Sequence, residues 1–270
     1  MSGRVAGLPM YDFGHLAAAN DVMWQAVAGK LEAAGLRDVP ARLDRSLPLD
    51  RLWQDRGLLL AQTCGYPLMT SLLGRVRLVA TPRYRAFGCD GPRHGSALIV
   101  HADDDTSDLA GLLGCRCAAN QRHSNTGMNL LRATVADLAN GRPFFQSVTW
   151  TGSHRASLAM VARGKADLAA IDVVTLAQLR RSEPELTAQV RVLGWTEATP
   201  GLPLITSAET DDETIELLRS ALFDVASAPA HAALRDDLLL DGFELVPETA
   251  YRSILRLEQH AIDLGYPHLC

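Results

Sequence analysis

The chain lacks several features that would settle its class at once, and each absence excludes something. No segment of its 270 residues approaches the roughly 20 consecutive apolar residues that cross a bilayer, so no membrane insertion is expected. Neither sign of charge dominates: 26 Lys and Arg stand against 31 Asp and Glu, a net charge of -5. That balance gives no general attraction for nucleic acid or acidic membranes, and any anion specificity must be local to a pocket. Cysteine is scarce and odd in number, with Cys64, Cys89, Cys115, Cys117 and Cys270 showing no C-x-x-C spacing. This reads as reduced thiols, not a disulfide framework or a metal site. No P-loop, Rossmann glycine pattern or G-x-S-x-G elbow is present, so no cofactor is expected. Repeats and low-complexity tracts are also missing. The stretch Met1 to Tyr11 has no apolar run of a secretory signal, which predicts a cytoplasmic protein, or a periplasmic one if a leader has been removed.

What is present is a long alternation of strand-like and helix-like segments. Hydrophobic content of 47% with 21% charged residues is ordinary globular composition, and the length suits two lobes better than one core. Val5 to Met10 reads as a strand, followed by a helix from Ala17 to Ala34 with Val22, Met23, Ala26, Val27 and Leu31 on one stripe. Leu58 to Thr63 is an apolar run of the kind found in buried parallel strands. Strands are expected again at 75–80, 96–101, 115–119, 146–150, 166–171 and 190–195, and helices at 211–226, 229–239 and 248–264. Such alternation predicts mainly parallel sheets with right-handed crossovers, and ligands then sit beyond the carboxyl ends of the strands.

The most informative stretch is Ser124-Asn125-Thr126-Gly127-Met128-Asn129, which joins a strand to a helix. The first N–H groups of a helix have no intrahelical acceptor, and the macrodipole places partial positive charge there. A phosphate, phosphonate, sulfate or carboxylate can be held at such a start without any lysine. Serine and threonine cap ordinary helices far more often than they bind ligands, so the turn alone is a weak signal. Its weight comes from company: Tyr11, Tyr66, Thr151 to His154 and Asp172 also follow predicted strands, as one convergent cleft requires.

Together, Gly65-Tyr66-Pro67, Thr81-Pro82-x-Tyr84, Ser124-x-Thr126-Gly127 and the segment from Gly152-Ser153-His154 to Asp172 carry a resemblance. The chain resembles the substrate-binding proteins of phosphate, phosphite and phosphonate ABC transporters from about residue 5 to 255, most specifically over 151–172. The resemblance implies an α/β, two-lobed, type 2 periplasmic-binding-protein-like fold with mostly parallel sheets and two crossover strands, near Ile99 and Pro200. Lobe one would be 1–96 plus 199–270, and lobe two the inserted 97–198. It further implies a solute-binding protein that closes by a hinge motion on a small oxyanion, with an ABC permease as partner. By the same resemblance, Ser124, Thr126 and Gly127 match the turn that grips phosphonate oxygens, and Asn125 departs from it with an amide that can still donate. Ser153 and His154 match the turn that brings a histidine to the ligand, Asp172 the strand-end acid, and Tyr66 and Tyr84 the aromatics of the first lobe; Tyr11 joins them as a strand-end candidate.

Plainer readings stand beside these. Asp172 can be a loop cap, and Tyr11 and Tyr66 can be core-edge aromatics with hydroxyls in solvent. Trp195 and Thr196 suit hinge packing, and Asp103-Asp104-Asp105 suits a solvated loop. The same fold also carries cytoplasmic enzymes of menaquinone and thiamine-pyrimidine synthesis. The alternative function is therefore an enzyme acting on a small carboxylate-bearing metabolite, with His154 as general acid or base. Binding without chemistry is the simpler expectation.

Overall fold

The computed structural model describes residues 3–270; Met1 and Ser2 of the N-terminal reading lie outside the described residues. The chain forms two compact units, one of Met1–Arg85 with Pro200–Ala250, the other of Ala86–Thr199 with Tyr251–Cys270. Beside the expected lobes of 1–96 plus 199–270 and of 97–198, this division places Tyr251–Cys270 with the second unit.

The first unit is built on a five-stranded sheet in the order Val5–Gly7, Leu58–Gln62, Leu204–Ser207, Val76–Tyr84 and Leu240–Glu244. Every residue of Leu58–Gln62 is buried, as its uninterrupted apolar run demands of a strand covered on both faces. The helices Ala17–Ala33 and Asp212–Ser227 cover the sheet, placing Trp24, Val27, Leu31, Leu218, Leu222 and Val225 in one core. Full burial of each such side chain contributes about 1.5–3 kcal/mol. The buried stripe of the first helix is rotated from the predicted one, because Trp24 takes the core position with its indole N–H donating to Pro40 O at 2.8 Å. Val22 is left half exposed as a result.

The second unit carries another five-stranded sheet, ordered Val190–Trp195, Ser96–His101, Leu168–Asp172, Arg116–Ala119 and Ser147–Trp150. Its core joins Ile99, Ala118, Leu158, Val161, Ala169 and Ile171. The last twenty residues fasten here: Asn129 donates to Ile254 O, Arg132 to Pro267 O, and the amides of Phe144 and Phe145 to Cys270 O.

Both sheets are mixed, which corrects the expectation of mostly parallel strands. Arg116–Ala119 runs parallel to both its neighbours, and Val5–Gly7 parallel to Leu58–Gln62. Leu204–Ser207, however, lies antiparallel between Leu58–Gln62 and Val76–Tyr84, and Ser96–His101 antiparallel between Val190–Trp195 and Leu168–Asp172. The cause is chain path. A strand followed by a helix returns parallel to its neighbour, but Ser96–His101 follows the passage into the second unit and Leu204–Ser207 the passage back. Neither is fed by a crossover helix, so neither is bound to the parallel direction.

Candidate functional site

Three strands of the second unit end side by side, and each hands the chain to a helix through a capping residue. After Arg116–Ala119 and Asn120, Ser124 adopts an extended backbone and its Oγ accepts the Gly127 N–H at 3.0 Å. Asn125–Asn129 then wind as a single wide π turn before the α-helix Leu130–Ala139, a deviation frequent at functional sites. The turn is buried throughout. Its Thr126 carbonyl accepts from Ser96 Oγ at 2.6 Å, which ties it to the neighbouring strand. The side chain of Asn125 is engaged at both ends, its amide donating to Thr199 Oγ1 at 2.9 Å and its oxygen accepting from Asn129 at 3.1 Å.

After Ser147–Trp150, Gly152 takes a positive φ of 87°, which glycine adopts without strain, and Ser153 caps the helix His154–Ala162 by accepting from Ala156 N at 3.1 Å. His154 is the first residue of that helix, and its ring reaches across to the first turn. Nε2 lies 3.1 Å from Thr126 Oγ1 and 3.2 Å from Asn120 Nδ2. Two helix starts are thereby joined at one point. Gly127 closes the approach: a Cβ there would stand 2.0 Å from Asn120 Oδ1 and 2.9 Å from His154 Cε1.

The third strand, Leu168–Asp172, delivers a carboxylate that is 2% exposed. Asp172 Oδ1 accepts from Thr175 N at 2.9 Å, capping the helix Val173–Ser182, and Oδ2 lies 3.1 Å from His94 Nε2. Burial pushes this carboxyl upward, but the charge and hydrogen bond of His94, with His154 and the Thr175 amide, outweigh it and bring the pKa down to about 2. For His154 burial is the leading influence and lowers the pKa below its ordinary value; Asp172 and the Ala170 carbonyl oppose it, and His94 adds to it. The ring is therefore neutral near pH 7.

In the second unit the structure brings together Ser124, Asn125, Thr126, Gly127, His154 and Asp172, with Ser153 beside His154 as its helix cap. In the first unit Tyr11 and Tyr84 meet edge to face, 5.2 Å between centroids, and Tyr84 Oη accepts from Gln62 Nε2 at 3.1 Å. Tyr66 stands on the separate short helix Gly65–Pro67 after the strand Leu58–Gln62. Sequence reasoning missed His94, which sits on the hairpin Cys89–Asp90/Arg93–His94 between the strands expected at 75–80 and 96–101, and Asn120. The second had a signal, a polar residue directly after a buried apolar strand. Among the described residues no group of His, Cys, Asp and Glu is arranged to hold a metal ion.

Known proteins share this architecture. A phosphonate ABC transporter binding protein of Pseudomonas aeruginosa, PA3383, is 19% identical over 97% of this chain and 88% of its own, with a TM-score of 0.76. PhnD1 of Prochlorococcus marinus, solved in complex with methylphosphonate, is 14% identical over 95% and 96%, with a TM-score of 0.73. XAC2383 of Xanthomonas citri, solved bound to ATP, is 18% identical over 98% of both chains, with a TM-score of 0.72. These likenesses show the fold, that of periplasmic solute-binding proteins. Among curated proteins none matches the chain. Residues 58–251, well over half of the sequence, match the family described as the periplasmic substrate-binding protein of the phosphonate ABC transporter, and the chain belongs to that family.

Proposed function

We propose that this protein binds a small phosphonate-like oxyanion at the joined helix starts of its second unit and delivers it to an ABC permease. The observation that carries the reading is the 3.1 Å contact between His154 Nε2 and Thr126 Oγ1, which brings the Ser124–Gly127 turn and the Ser153–His154 turn to a single point. Two helix N-termini directed at one place supply amide donors and partial positive charge, and the burial of the Asn125–Asn129 turn makes a hydrogen bond from it to an anion stronger. Gly127 lets the backbone and the Asn120 amide approach closely where a side chain would fill the space.

Within this reading Ser124 and Gly127 shape the turn, Thr126 supplies a hydroxyl, and Ser153 and His154 form the second grip. Asn125 contributes through its backbone, because its side chain holds the turn to Thr199 and Asn129. Asp172 acts from behind as a cap and as the partner of His94. The methylphosphonate complex of PhnD1 supports a phosphonate as the first ligand to try. Delivery to a permease requires the periplasmic location that the family's description names, and fractionation of cells producing the untagged protein tests it.

Titration calorimetry of the full chain with methylphosphonate tests the function. Saturable binding is expected, and a Ser124→Ala/Thr126→Ala double variant should lose at least roughly tenfold in affinity, the worth of one to two hydrogen bonds. Unchanged affinity in a folded double variant would remove the turn from the site.

A further inference from the structure

Apart from Asp137, no acidic residue occurs between Leu109 and Ala166, the stretch that forms both turns of the proposed site. Asp137 is itself engaged, its Oδ1 lying 3.0 Å from His260 Nε2 on the helix Glu248–Asp263. Arg116 and Arg155 reach acids beyond the stretch, Asp167 at 2.7 Å and Glu183 at 2.6 Å. Arg122 differs. Among the described residues its guanidinium meets a ring and no carboxylate, with Cζ 4.5 Å from the centre of Trp150.

The backbone fixes where this pair stands. The Ser124 N–H donates to Gln121 O at 3.1 Å, so Arg122 occupies the turn that leads into the Ser124 cap. Trp150 ends the strand Ser147–Trp150 opposite Ala119, and the next two amides, of Thr151 and Gly152, donate to Ala119 O and Asn120 O, each at 2.9 Å. The loops that run into the Ser124 and Ser153 caps are thereby stitched together, and Arg122 over Trp150 spans the seam. Two residues of chain reach at most about 7 Å, so the Arg122 backbone lies within that distance of Ser124.

A guanidinium carries five N–H donors in a rigid fork and stays charged at any ordinary pH. With Cζ over the indole, the ring covers one side of the group, and the donors on its outer side remain for an acceptor; Arg122 is exposed and Trp150 half-buried. Stacking also orders the long side chain in advance, so less freedom is lost when an acceptor arrives. The partner that matches a fork of parallel N–H groups is a planar carboxylate, which takes two hydrogen bonds at once.

We propose that Arg122, seated on Trp150, is a second anion subsite beside the helix starts, and that the preferred ligand is a phosphonate whose organic group ends in a carboxylate. This inference rests on the oxyanion site proposed above, where the two turns hold the phosphonate itself. A neutral alkyl group leaves the guanidinium in water, whereas a carboxylate on a short chain meets it while the phosphonate stays in place. Arg122 selects the ligand, and Trp150 is the positioning residue that holds it ready.

The test is calorimetric titration of the full chain with phosphonoacetate and its homologues of two and three methylene groups, each against the neutral alkylphosphonate of equal length, beginning with methylphosphonate. In wild type at least one carboxylate should bind roughly fivefold more tightly than its neutral counterpart, the upper range for an exposed ion pair. Arg122→Met, which keeps the stem and loses the charge, should bring that ratio to near unity. Trp150→Leu should lower the ratio and Trp150→Phe, which keeps a ring, should retain most of it; a merely structural role for Trp150 would weaken both ligands alike. No gain for any carboxylate in wild type, or a gain that survives in Arg122→Met, overturns the subsite while binding of methylphosphonate leaves the oxyanion site standing. If wild type binds neither series, the oxyanion reading fails and this inference with it.

Discussion

His94 Nε2 stands 3.1 Å from Asp172 Oδ2, with both side chains only 2% exposed, although 78 residues separate them in sequence. A carboxylate removed from water needs compensation, and here it comes from the imidazole on one oxygen and the Thr175 amide on the other. His94→Ala takes one of these away and leaves the charge buried. The expected loss is about 3–5 kcal/mol of unfolding free energy, read from urea denaturation. His94→Gln, which still offers an N–H, should recover part of it. A loss under about 1 kcal/mol in the alanine variant would mean that water replaces the imidazole at no cost.

Stability should fall in two steps as the solution is acidified. The Asp172 carboxyl sits at about 2 in the folded protein against an ordinary 3.8, so the unfolded chain takes up the proton first on the way down. Its stabilising contribution is therefore complete above pH 3.8 and is lost as pH falls from there towards 2, with a size on the order of 2 kcal/mol. His154 is a base with a lowered pKa, and the same sign applies: below its ordinary 6.5 the unfolded chain binds the proton more readily, and stability drops. Melting temperatures measured across pH 7 to 2 should show both steps. His154→Gln should erase the upper one and Asp172→Asn the lower, and a profile unaltered by either change would count against these assignments.

Gly127→Ala should damage the proposed site directly. The new Cβ would have to displace the Asn120 carboxamide, 2.0 Å away, and push on His154 Cε1 at 2.9 Å. Neither side chain can yield freely, because each holds the other. Overpacking of this kind costs about 1–3 kcal/mol. The larger effect falls on function, since both the turn and His154 move: methylphosphonate binding should vanish in calorimetry while the circular dichroism spectrum stays native. An alanine variant that binds as wild type does would show that the turn has slack.

How much of this was legible in the sequence depends on the range of the interaction. The caps at Ser124, Ser153 and Asp172 are local, each accepting from an amide three residues ahead, and a short window suffices to expect them. The buried strand Leu58–Gln62 announces itself by its composition. The strand Leu240–Glu244 does not, because Asp241 and Gly242 interrupt its apolar pattern and the pairing with Val76–Tyr84 that forms it is distant. The His94–Asp172 pair is invisible for the same reason, and so is the wide π turn at Asn125–Asn129, which depends on Ser96 and Thr199 holding it from other elements. Chain direction was misjudged where the polypeptide passes between units, since strand-helix alternation encodes only strands fed by a crossover helix.

Arg132 gives a last prediction, because it decides where the end of the chain belongs. Its guanidinium, on a side chain 5% exposed, donates to Pro267 O at 2.8 Å, Asn129 Oδ1 at 2.7 Å and Glu258 Oε1 at 3.1 Å. Asn129 in turn donates to Ile254 O at 3.2 Å, so one buried cation organises the contacts of the helix Glu248–Asp263 and of the residues after it. Arg132→Met fills the stem's volume but leaves the Pro267 carbonyl and Asn129 without their donor. A loss of about 3 kcal/mol is expected from breaking a buried charged network by one partner. Amide exchange should quicken across residues 251–270, with the first unit's strand Leu58–Gln62 unchanged. Exchange that quickens equally in both places would mean that Arg132 supports the whole chain's cooperativity and not the seating of its C-terminal segment.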